Sequence, residues 1–182
     1  MHRLRNWVLA GALTFTLPLI AGATTTPAPL QSSDYLTQKV RHELVMLPYY
    51  SIFDDLSYQV NGNTVTLYGH VVRPVLKSDA ANVVKRIEGV EQVVNRIEVL
   101  PLSSFDNSIR WRAARAIYNY PMLQRYGMGT QPSIHIIVDN GHITLTGVVD
   151  NQADRNVAAI RANGIPGVFS VTNELRVANH QS

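Results

Sequence analysis

The sequence contains no cysteine. That excludes a disulfide framework, a thiol nucleophile, a cysteine metal site and an acylated N-terminal cysteine. An exported form is therefore expected to be soluble and not a lipoprotein. Catalytic signatures are missing as well: there is no G-x-S-x-G elbow, no H-E-x-x-H, and no glycine-rich loop to cradle a phosphate. Nothing reads as a nucleic-acid motif. His42, His70, His135, His142 and His180 are scattered along the chain. His135 and His142 share one predicted hairpin and could meet across it, but two histidines without a third ligand fall short of a catalytic zinc. No enzyme, metal site or cofactor is expected.

Charge is sparse, at 16% of 182 residues, with a formal net charge of +3. Arg3 and Arg5 lie in a segment expected to be removed, and without them 14 basic side chains face 13 acidic ones. Such a balance creates no basic field over the whole molecule. With 46% hydrophobic residues the composition is that of a globular chain.

One apolar run is present, Trp7 to Ile20, after a short basic start and before Ala21-Gly22-Ala23. These are the parts of a secretory signal peptide over residues 1–23. The alternative, a membrane anchor, is disfavoured by the run's short length and by Pro18 near its end. Residues 24–33 are polar, contain proline, and read as a flexible lead-in.

The remainder is a duplication. GVEQVVNRIEV (89–99) returns as GVFSVTNELRV (167–177), and VTLYGHV (65–71) returns as ITLTGVV (143–149), both displaced by 78 positions. Alternation after a glycine is the pattern of a half-buried strand. Upstream of these, Leu36, Val40, Leu44 and Leu47 recur at helical spacing behind Asp34, a plausible N-cap. Ile109, Ala113, Ile117 and Tyr120 do the same behind Asp106. Asn61-Gly62 and Asn140-Gly141 mark hairpin turns. Leu76, Ala80, Val83 and Ile87 line a helix opened by Pro74, whose counterpart runs from Asp154 to Asn163. Each unit reads α-β-β-α-β, over 34–101 and 105–178. The fold class is α+β, each unit a small three-stranded mixed sheet covered by two helices. Unit two gains five residues within Gln124 to Pro132, around Gly127-Met128-Gly129.

A hairpin carrying a Gly before its closing Val, then a helix, then G-V-x-x-V-x-N-x-[IL]-x-V resembles the BON domain. Gly69, Gly89 and Asn95 carry the likeness in unit one, and Gly147, Gly167 and Asn173 in unit two. The resemblance implies a non-catalytic α+β domain that attaches to membranes or envelope structures, with phospholipid as the usual ligand and a periplasmic location. The lipidated members' cysteine is absent here. The motif residues themselves have a structural reading: the glycines suit sheet ends and helix stops, and the two asparagines hydrogen-bond nearby backbone.

The stretch most informative about function is SIRWRAARAIYNYPMLQRY, 108–126. Ile109, Ala113, Ala116, Ile117 and Tyr120 form its inner face. Trp111, Arg115 and Tyr118 fall opposite, flanked by Arg110 and Arg112, and no acid occurs between Asp106 and Asp139. Outward rings among arginines suit a helix at the surface of an anionic phospholipid membrane. The same rings could instead pack unit two on unit one. The matching helix of unit one presents only Gln38, Arg41, His42 and Val45. Unit two also carries the positive balance, with 7 basic and 5 acidic residues over 102–182 against 7 and 8 over 24–101. Protein partners in the envelope are the other expectation.

Overall fold

The computed structural model describes residues 31–129 and 132–178. The predicted signal peptide and all but the last three residues of the lead-in (24–30) lie outside them. Unit one contains α1 (Gln31–Val45), β1 (Asp55–Asn61), β2 (Thr64–Val71), α2 (Pro74–Lys85), β3 (Gln92–Asn95) and β4 (Glu98–Val99). Unit two repeats this order with α3 (Ser104–Tyr118), β5 (Ile134–Asp139), β6 (His142–Val149), α4 (Gln152–Asn163), β7 (Ser170–Asn173) and β8 (Arg176–Val177). A single 3-10 turn, Gln124–Gly127, follows α3.

In each unit the hairpin pairs antiparallel and its second strand pairs parallel with the C-terminal motif. The expected third strand is broken in two. Asn95 interrupts the first copy: its Oδ1 accepts the N–H of Ile97 at 3.1 Å and its Nδ2 donates to the Lys77 carbonyl at 2.7 Å. Asn173 does the same with Leu175 and Arg155, at 3.2 and 2.8 Å. Each asparagine thus turns the chain and ties it to the neighbouring helix, and the segment beyond resumes pairing with the same central strand.

The helix starts differ from the sequence expectation. Asp34 lies in the first turn of α1, which begins at Gln31. Ser103 caps α3 and Asn151 caps α4, each accepting from the backbone of an aspartate three residues on. The aspartates are thereby released for other work. The Asp106 carboxylate accepts from the N–H groups of Asn140 and Gly141, at 3.0 and 2.8 Å, and so pins the hairpin tip to the helix start.

Gly69 and Gly147 sit where β2 and β6 pass the starts of β1 and β5, at φ of 117° and 115°. A Cβ at Gly69 would lie 2.1 Å from the Asp55 carbonyl oxygen, and one at Gly147 would lie 2.0 Å from that of Ser133. No side chain fits against backbone at that range.

Unit one closes over Leu36, Val40, Leu67, Leu76 and Ile97. The core of unit two, around Ile109, Ile117, Ile136, Ile143 and Leu145, also takes in Phe53, with Ile52 and Val72 packed against it. The units are therefore docked: the loop after α1 enters the other unit's core. Asp54 holds that loop in shape, accepting from the N–H of Ser51 at 3.0 Å and of Val72 at 2.7 Å.

Gly147→Ala is expected to cost on the order of 3 kcal/mol or more in denaturant unfolding, because backbone must move to admit the methyl group. Gly164→Ala, where the added atom meets only ordinary contacts, should change stability by less than about 1 kcal/mol.

Candidate functional site

The helix singled out by the sequence, α3, lies beside β5, the edge strand of its sheet. A two-residue turn closes the β5–β6 hairpin opposite the Asp139–His142 pair. Alternate residues Ile134, Ile136 and Val138 therefore turn their backbone groups away from β6. Each of them is met. The Tyr118 hydroxyl donates to the Ile134 carbonyl, the Ile136 N–H donates to the Ile52 carbonyl at 2.7 Å, and Arg110 Nη2 donates to the Val138 carbonyl at 2.7 Å.

This placement corrects two members of the expected outward set. Arg110 is only 2% exposed, and its Nε has no hydrogen-bond partner among the described residues. Burial pulls its pKa down, opposed by the charges of Asp106, Asp54 and Asp139. Tyr118 is half-buried, its ring against Gly127, and burial pushes its hydroxyl well above the ordinary tyrosine value. Helical periodicity assigns a direction from the axis and takes no account of a sheet edge within reach of a long side chain.

The other three residues reach solvent. Trp111 is 52% exposed, with its ring edge-on to Phe53 at 5.1 Å between centroids. It is thus half domain contact and half free surface. Arg112 donates to the carbonyls of Pro166 and Ser108, at 2.7 and 3.1 Å. Arg115 is exposed, and its side chain makes no hydrogen bond or ion pair among the described residues. With Arg161 of α4, Arg112 and Arg115 line a groove of about 300 Å³ between the two helices, floored by Ala116 and Pro166 and flanked by Ile160, itself 68% exposed.

Sequence reasoning missed Arg161 and Ile160 because they lie on a different helix. It also left the loop gained by unit two without a role. Within that loop the Tyr126 hydroxyl donates to Asp154 at 2.5 Å and accepts from the Asp150 N–H at 2.9 Å. Arg125 pairs with Asp150 at 3.0 Å and with Asp154. The described part of the insertion thus ties the end of α3 to the start of α4. The signal was available in the S-x-x-D and N-x-x-D spacings, which cap both helices by their first residue and free the aspartates.

His135 and His142 do not meet. His135 stands opposite Thr146 and His142 opposite Asp139, near opposite ends of the hairpin. Among the described residues no three histidine or carboxylate side chains are grouped to hold a metal ion, and no helix is long and apolar enough to cross a membrane.

Two tandem α-β-β-α-β units, each with helices covering one small mixed sheet, define an α+β repeat module. The BON domain profile matches residues 32–101 and 123–179, and the chain belongs to the BON-domain family. Osmotically-inducible protein Y of Escherichia coli (strain K12) is 30% identical over 125 residues, which is 67% of this chain and 61% of that relative. Among solved structures, CdsD, a structural protein of the type III secretion system of Chlamydia trachomatis, aligns at 14% identity and a TM-score of 0.28, over 80% of this chain and 94% of that one. Its C-terminal domain aligns at 14% identity and 0.27, over 79% and 97%.

Tyr118→Phe should cost about 1 kcal/mol by orphaning the Ile134 carbonyl. A hydroxyl whose pKa is raised on folding stabilises the fold below the unfolded tyrosine value of about 10, and that contribution is lost as pH rises toward the folded value. The thermal midpoint should therefore fall above about pH 10, and less steeply in Tyr118→Phe than in the parent.

Proposed function

We propose that this is an exported, non-enzymatic envelope protein that rests on anionic phospholipid surfaces through the solvent side of α3. The observation that carries the reading is the half-exposed Trp111 indole on the same side as the unpartnered Arg115, with Arg112 and Arg161 beside it. A ring of this kind favours the headgroup level, and guanidinium groups pair with phosphate. Likeness to an osmotically inducible protein supports a periplasmic location and a part in osmotic or envelope stress.

The affinity of one such helix is modest. Each arginine near an anionic surface contributes roughly 1 kcal/mol, and partial burial of the indole contributes a similar amount. Together they correspond to about millimolar binding. Attachment is then weak and reversible, and firm residence requires several copies or further contacts.

A second reading, a scaffold or chaperone for envelope proteins, draws on the Trp111–Phe53 contact, which assigns part of the indole to the packing of the two units.

Co-sedimentation with liposomes separates them. The mature chain should pellet with phosphatidylglycerol vesicles but not with phosphatidylcholine alone, and high salt should release it. Trp111→Ala and Arg115→Glu should each weaken binding about tenfold. A protein that stays in the supernatant, while Trp111→Ala lowers the thermal midpoint, would leave the indole with a packing role and turn attention to protein partners.

A further inference from the structure

Unit one repeats the sheet of unit two but not the covering of its edge. The β1–β2 hairpin closes opposite the Asn61–Thr64 pair, so Leu56, Tyr58 and Val60 turn their backbone groups away from β2, as Ile134, Ile136 and Val138 do in unit two. The buried positions Leu36, Val40 and Leu44 of α1 match Ile109, Ala113 and Ile117 of α3. In that register Thr37 stands where α3 has Arg110, and Val45 where it has Tyr118. Neither can reach across to a strand edge. Leu56 is met by the Tyr50 hydroxyl, but nothing among the described residues bonds the outward backbone of Tyr58 or Val60.

Where Tyr118 fills space in unit two, unit one has a groove of about 590 Å³ between α1 and β1, lined by Arg41, Val45, Leu56, Ser57 and Tyr58, with Arg176 contributed by unit two. It borders a larger cleft of about 970 Å³ between the units, which Arg41 and Arg176 also line. Neither arginine forms an ion pair among the described residues. Among the described residues Asp55 is the one carboxylate lining the cleft, and it already accepts from the His70 N–H at 2.7 Å and lies 3.2 Å from its ring nitrogen. An open strand edge is a template for another strand, and two unanswered guanidinium groups beside it select for a carboxylate.

We propose that the β1 edge accepts an extended, carboxylate-bearing peptide segment as an added strand, with its acid held by Arg41 and Arg176. Main-chain bonds to Tyr58 and Val60 supply sequence-independent affinity, and the arginines favour acidic segments. The site lies at the β1 edge of unit one, with Arg176 lent by unit two, and does not involve the solvent side of α3.

The probe is a fluorescently labelled eight-residue peptide of alternating valine and threonine with one central aspartate, alongside its asparagine counterpart. Fluorescence anisotropy with the mature chain should show saturable binding of the aspartate peptide, with the asparagine peptide about tenfold weaker. Val45→Tyr, which installs the plug found in unit two, should abolish binding of both peptides while the circular dichroism spectrum is unchanged. Arg41→Gln combined with Arg176→Gln should bind the two peptides equally. Trp111→Ala should bind like the parent. The proposal is overturned if a folded Val45→Tyr protein binds as the parent does, or if the parent binds neither peptide at millimolar concentration. It is also overturned if sedimentation shows that a second copy of the chain occupies the edge in a dimer that Val45→Tyr dissolves. Should Val45→Tyr fail to fold, the double arginine variant decides, because both side chains are exposed: an undiminished preference for aspartate in that variant overturns the proposal.

Discussion

The outward edge of β5 is the constraint on which much of this molecule depends. An edge strand leaves alternate backbone donors and acceptors facing away from its sheet, and their burial without partners costs on the order of 1–3 kcal/mol each. Three different sources answer the demand here: a tyrosine hydroxyl and an arginine from α3, and a main-chain carbonyl from the loop of unit one. That last bond brings Phe53 into the neighbouring core. Edge coverage and docking of the two units are thus one event. The same demand draws Arg110 inside, where neighbouring carboxylates offset part of its desolvation.

Buried aspartates organise the loops in a parallel way. Asp54, Asp106 and Asp154 are each about 1% exposed, and each accepts at least two hydrogen bonds, one or more of them from a residue distant in sequence. Asp54 closes the docking loop on the end of β2, Asp106 clamps a hairpin tip, and Asp154 gathers Asn151, Tyr126 and Arg125. A carboxylate with several short bonds to N–H and O–H groups gains enough to offset burial, whereas removal of the donors would leave a charge stranded in the core. The consequence is a rigid frame from which α3 presents only one side to solvent.

The duplication makes each unit a control for the other. Where the two copies agree, as at Gly69 and Gly147 or Asn95 and Asn173, the residue serves the fold. Where they diverge, the difference is local and specific: Tyr118 against Val45, Arg110 against Thr37, and an insertion on one side only. Those divergences make one sheet edge closed and the other open, and they put the exposed indole and arginines on unit two alone.

Much of the fold was legible in the linear chain. A displacement of 78 positions, strand alternation and helical spacing are properties of neighbouring residues, and they specify element order, the motif glycines and the BON architecture. The break at Asn95 and Asn173 was half legible: the bond to backbone followed from an amide among valines, while the split of the strand required knowing which carbonyl it reached. Arg110 and Tyr118 were not legible as edge caps. Their spacing on the helix is the same whether a strand edge or open water lies beyond, and only the placement of β5 against α3 distinguishes the two. What the amino-acid sequence determined by itself was therefore the repeat, the α+β units and the motif glycines with positive φ, because those depend on local sterics and period. What the tertiary structure alone decided was which side chains of α3 remain outside, how Phe53 joins the units, and which edge stays open. Those depend on long-range hydrogen bonds and burial, whose partners lie tens of residues apart.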